Sequence, residues 1–176
     1  MNKSTPRIYL AGKIDKSDWR HQVVPELRRH EAYLETIDTN EFIYVGPFFK
    51  SCDHGCFHTN GSHGLLGQNQ KLRRLAQLQV RNACFKAVGN CDIFFLYINH
   101  PEVFGSLVEV GWAQAFNKKI VVIYAPSIAS PNSNDYWFSS ITAHRTVFDV
   151  QACDVRRIIY DVIGDLSLGN TSGCWE

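Results

Sequence analysis

Apolar positions in this chain fall into short runs separated by amphipathic stretches, and the two patterns alternate. "RIYLA" (Arg7–Ala11) is a short apolar run that stops at Gly12, which predicts a strand. "DWRHQVVPELRRHEAYL" has helical spacing, with Pro25 disturbing its first half because proline lacks an N–H and crowds the preceding turn. "FIYVGPFF" predicts a second strand that ends at Gly46-Pro47. "QNQKLRRLAQLQVRNACFKAVGN" predicts a long amphipathic helix, with Leu72, Leu75, Leu78 and Phe85 on one side. "CDIFFLYI" is apolar almost without a break, as in a strand covered on both faces. "GSLVEVGWAQAF" then reads as a helix and "KIVVIY" as a strand. A Pro/Ser/Asn loop spans Ala125 to Asp135. A short helix near Ser139, a strand "TVFDV" and a last helix from about Asp154 to Val162 follow.

Strand and helix alternate throughout, which predicts parallel strands joined by crossover helices. The expected architecture is a single α/β domain over residues 1–176, doubly wound and flavodoxin- or Rossmann-like. It has five parallel strands flanked by helices, a His/Cys-rich loop at about 50–67 and an irregular tail at about 165–176. Ligands in such sheets bind beyond the carboxyl ends of the strands. That places Gly12 to Arg20, Asn99 to Glu109 and the His/Cys loop at the ligand edge.

Charge narrows the partners. Lys and Arg total 18 against 17 for Asp and Glu, so no overall basic field points to a nucleic acid polymer or a membrane surface. No apolar run approaches the roughly 20 residues of a membrane span. "MNKSTPRIYLAG" lacks the apolar core of a signal peptide. With six cysteines and no secreted context, the expected location is the cytoplasm, with reduced thiols.

Among the apolar and small residues of "GSLVEVGWAQAF", Glu109 stands out. One reading is local: "SLVE" fits a capping box, in which the Ser106 hydroxyl accepts from the amide of Glu109 and the glutamate reaches back to the amide of Ser106. The other is chemical: a carboxylate at the ligand edge serves as a nucleophile or charge stabiliser. The two can coexist.

"IYLAG", "CDIFFLYI" and "GSLVEVGWAQAFNKKIVVIYAP" together resemble the nucleoside 2-deoxyribosyltransferase superfamily, in family order and over about a third of the chain. The nearer likeness is to its hydrolytic branch, the nucleoside 5′-monophosphate N-glycosidases, which include deoxynucleotide N-hydrolases and cytidylate hydrolases. The resemblance implies that Glu109 is the nucleophile and that Tyr9 sits beside it to orient it. A carboxylate suits that task, because cleaving an N-glycosidic bond builds cationic character at the anomeric carbon. The turn "GKIDKSDWR" is implied to cradle a 5′-phosphate at Gly12, where Lys13 adds a point charge; Trp19 and Arg20 either meet a base or form a solvated helix start. Gly105 and Ser106, at a helix start, are implied to bind phosphate or ribose hydroxyls, and Gly105 and Gly111 to allow close approach of substrate and sheet. Ser139 matches a serine that the family gives to the neighbouring subunit, which implies a homodimer with a shared site. One position departs from the family: its sugar-binding aspartate is replaced here by Cys84, with Arg81 and Asn82 as the nearest polar alternatives.

The loop "SCDHGCFHTNGSHG" allows three readings. Cys52, Cys56, His58 and His63 form a possible zinc set, although their spacing is irregular. Alternatively His54, Phe57 and His58 line a base-recognition lid, or the histidines are surface residues without a role. The resulting expectation is a cofactor-free hydrolase acting on a small-molecule nucleotide. A base-exchanging transferase, an NAD glycohydrolase and a non-catalytic nucleotide- or zinc-binding module are the alternatives.

Overall fold

A computed structural model describes residues 4–14, 18–28, 36–47, 70–128 and 136–167. Among these described residues six strands form one sheet: β1 (Arg7–Gly12), β2 (Ile37–Asp38), β3 (Ile43–Gly46), β4 (Ile93–Ile98), β5 (Lys119–Tyr124) and β6 (Arg145–Val147). Their spatial order is β2-β3-β1-β4-β5-β6. All neighbours are parallel except β2 and β3, which pair antiparallel. The five parallel strands therefore follow the flavodoxin-type order, whose chain reverses direction across the sheet between β1 and β4. The expected five-stranded sheet is corrected by one strand: β2 is a two-residue edge addition, too short to leave a periodic signal.

The apolar runs take both faces of the sheet, as strand alternation requires. Ile8, Leu10, Ile93, Phe95, Tyr97, Val121 and Ile123 point to one face, where they meet Trp19, Val23, Val155 and Ile159. Tyr9, Ala11, Phe94, Leu96, Ile98, Ile120, Val122 and Tyr124 point to the other, where they meet Cys84, Val88, Val110 and Ala113. The first layer holds α1 (Arg20–Val23) and α5 (Val155–Ser167), and the second holds α2 (Gln70–Asn90) and α3 (Phe104–Ala115). A short α4 (Trp137–Ile141) precedes β6.

Three expectations change here. The helix expected across Pro25 is α1 followed by a 3-10 turn at Pro25–Arg28, and its remainder lies outside the described residues. On α2, Leu78 and Phe85 do not face the sheet: they are 48% and 36% exposed, while Cys84 and Val88 are buried. Phe85 instead packs edge-on against Trp112 and Phe116 and so fills the seam with α3. The strand expected at "TVFDV" ends at Val147, and Asp149 has the left-handed φ of 57° that stops it.

Candidate active site

The parallel alternation of β1 sends Tyr9 toward α2 and α3, where its ring lies parallel to Phe94 at 5.5 Å. Gly46 on β3 makes room for that ring. A β-carbon there would sit 2.8 Å from Tyr9 Cε2, and the residue's φ of +148° also suits glycine alone. In the sequence Gly46 signals only the end of a strand.

From this position the Tyr9 hydroxyl donates to Glu109 Oε1 at 2.6 Å, joining residues 100 apart in the chain. Glu109 lies in the second turn of α3 and is half-buried. Desolvation pushes its carboxyl up to about 7, although the Tyr9 hydrogen bond, the Arg20 guanidinium and the Cys84 thiol all pull the other way. Burial pushes the Tyr9 phenol well up too, and the adjacent carboxylate adds to this, so Tyr9 remains a donor. Cys84 interacts with both groups, and burial, then Glu109, raise its thiol to about 11. Cys84 is thus a neutral group beside the carboxylate rather than a thiolate.

The capping box does not form. α3 starts two residues before Ser106, with Val103 as its N-cap residue and no side-chain cap. Ser106 therefore occupies the third helical position and is buried, and Glu109 is committed to Tyr9. A β-carbon on Gly105 or Gly111 would meet nothing within 4 Å, so neither glycine is required by contact with the sheet.

The turn after β1 is built on Arg20. Its side chain is wholly enclosed, facing inward rather than toward a base. Nε donates to the carbonyl of Leu10 at 2.7 Å, Nη2 to that of Gly12 at 2.8 Å, and Nη1 to both Asp18 carboxylate oxygens at 2.9 and 2.8 Å. A trans peptide plane points its N–H opposite to its C=O. With the Gly12 carbonyl held by Arg20, the Lys13 N–H is directed away from the guanidinium. Gly12 has φ +152°, and a β-carbon there would come within 2.7 Å of the Tyr97 carbonyl, so the turn requires glycine. Trp19 is also enclosed, packed edge-on to Tyr97 at 5.1 Å, so its faces are not open for stacking on a base. Its Nε1 and the Oδ1 of Asn99, which follows β4, are buried without a hydrogen-bond partner among the described residues. Lys13 pairs with Glu102 at 3.0 Å across the gap between the β1 and β4 ends.

Ser139 lies on α4 and is buried, 5% exposed. His54, His58, Phe57, Cys52, Cys56 and His63 all lie outside the described residues. Among the described residues no cluster of three His, Cys, Asp or Glu side chains is placed to hold a metal. No helix among them is long and apolar enough to cross a membrane.

The chain matches no protein-family profile and no curated protein. Among solved structures it is similar to the Clostridium botulinum CMP N-glycosidase BcmB, at 13% identity and a TM-score of 0.49. The alignment covers 88% of this chain and 98% of that one.

Proposed function

We propose that this protein hydrolyses the N-glycosidic bond of a nucleotide, a nucleoside 5′-monophosphate, with Glu109 as nucleophile. The observation that carries this reading is the hydrogen bond from Tyr9 to Glu109, beneath the crossover point of a sheet of flavodoxin order. The phenol holds Oε1 and leaves Oε2 to attack the anomeric carbon as the C–N bond breaks. The base departs with the bonding electron pair and takes up a proton. Water then attacks the glycosyl ester, giving sugar phosphate and restoring the carboxylate. The ionised form is required, so the rate should rise with pH to a plateau above about 7, where the carboxyl has lost its proton.

The unpartnered Trp19 Nε1–H and Asn99 Oδ1 give the ligand edge one enclosed donor and one enclosed acceptor. Gly12, the Lys13 amide and the first turn of α3, which holds Gly105 and Ser106, serve the phosphate and sugar. A homodimer belongs to the same proposal. Phe104 and Val108 on α3, with Trp137, Phe138 and Ile141 on α4, are exposed apolar residues. The two helices are tied together where the Tyr136 hydroxyl donates to the Pro101 carbonyl. An apolar surface of this kind suits a second copy of the chain.

The test is incubation of purified protein with a panel of nucleosides, nucleoside 5′-monophosphates and NAD, reading released base by chromatography. Base release from a monophosphate is expected, faster than from the matching nucleoside by roughly ten- to a hundred-fold, the worth of a hydrogen-bonded charged group. Adding a second free base should give no new nucleotide; its formation would identify a transferase instead. Cleavage of NAD alone, or of nothing in the panel, would remove the proposal.

A further inference from the structure

We propose that Glu102 guards the anion-binding end of the site. Its carboxylate holds the Lys13 ammonium that an incoming phosphate needs, and so tunes the preference for phosphorylated over neutral ligands. The inference rests on the reading that the substrate carries a 5′-phosphate, and it concerns a residue that the motifs do not mark.

Lys13 follows β1 and Glu102 precedes α3, 89 residues later. They meet because β1 and β4 are neighbours, with Gly12 paired to Tyr97. Their contact, Nζ to Oε2 at 3.0 Å, therefore spans the strand ends at which the sheet order reverses. Among the described residues, the charged groups of the same turn are committed to each other. Arg20 and Asp18 bind each other, and Arg20 also holds the Gly12 carbonyl, which leaves the Lys13 N–H directed away from it. An anion at this turn would thus meet the Lys13 N–H and, in place of Glu102, the Lys13 ammonium. Backbone amides with an added point charge suit a phosphate oxygen.

The pair is built to be displaced. The Lys13 side chain is 32% exposed and that of Glu102 62%, so water already competes for both. A phosphate dianion offers the ammonium more charge than one carboxylate does. A neutral nucleoside offers none, and leaves Glu102 in place. Glu102 itself is steadied from behind, its backbone N–H donating to His100 Nδ1 at 3.0 Å.

Isothermal titration with inorganic phosphate and with an uncharged nucleoside, at pH 8 and low salt, tests this. The proteins to compare are wild type, Glu102→Gln and the double variant Glu102→Gln/Lys13→Gln. Glu102→Gln should bind phosphate about two- to fivefold more tightly, the worth of one exposed ion pair, with nucleoside affinity unchanged. The double variant should lose the gain. The proposal is overturned if phosphate affinity does not rise in Glu102→Gln, if the nucleoside gains equally, or if the gain survives the loss of Lys13. Base release by wild type, measured in parallel, keeps the two readings apart. A phosphate effect without base release leaves the role of Glu102 standing and removes the hydrolase. Base release without a phosphate effect does the reverse.

Discussion

Glutamine at Glu109 should leave a folded protein that releases base more slowly by about three or more orders of magnitude, the scale of loss when an enzyme's nucleophile is removed. The amide keeps a carbonyl oxygen for the Tyr9 hydroxyl at the same reach, so the 2.6 Å contact has a replacement acceptor. What it loses is the charge that attacks the anomeric carbon and stabilises the cation. Stability should move the other way. The carboxyl titrates near 7 in the folded protein, above the ordinary 4.5, so the folded state holds this proton more tightly than the unfolded chain does. Its contribution is complete below about 4.5 and is lost as pH rises toward 7. Glutamine does not titrate. In thermal melts Glu109→Gln should therefore unfold at or above the wild-type temperature at pH 8, with the gap closing toward pH 4.5. A variant that melts well below wild type at pH 8 would assign Glu109 a structural role.

Replacing Arg20 by methionine should cost about 3–5 kcal/mol of stability, the usual penalty for breaking a buried ion pair from one side. Asp18 and Arg20 have no exposed side-chain surface, and the guanidinium also holds the carbonyls of Leu10 and Gly12. Methionine fills similar volume but leaves a buried carboxylate without its cation and these carbonyls without their donor. The double variant Asp18→Asn/Arg20→Met should recover part of the loss, because the stranded charge goes. Urea unfolding of the single variants and the double variant measures the coupling. A loss below about 1 kcal/mol for Arg20→Met would show that the turn does not depend on the pair.

The strands that carry the sheet's centre were legible because residues buried on both faces leave unbroken apolar runs. "KIVVIY" is β5 to the residue, and "CDIFFLYI" contains the whole of β4. The antiparallel β2 was not legible, since two residues carry no period. The start of α3 was misplaced because Ser106 is a good cap by type, whereas the helix uses Val103 and no side chain. On α2 the large apolar residues suggested the buried face. The sheet instead takes Cys84 and Val88, while Phe85 fills the seam with α3.

At the site, Tyr9 and Glu109 were named from their motifs, and the fold brings them together. The inward turn of Arg20 was not legible, because the same "DWR" suits either a surface helix start or a buried pair. Only the completed turn, whose Leu10 and Gly12 carbonyls accept from the guanidinium, decides between them. Cys84 was noticed as a departure in type, but its closeness to the carboxylate depends on how α2 rotates over β1. The Lys13–Glu102 contact comes from strand order, which local patterns do not encode.

The most direct measurement of the central claim is the stereochemistry at the anomeric carbon when methanol replaces water as acceptor during cleavage of a nucleoside 5′-monophosphate. Attack by Glu109 followed by attack of methanol inverts the centre twice. The expected product is thus a methyl glycoside phosphate of the same β configuration as the nucleotide, identified by the NMR signal of its anomeric proton. A product of α configuration would mean a single direct displacement with no glycosyl-enzyme, and would contradict the role of Glu109 as nucleophile.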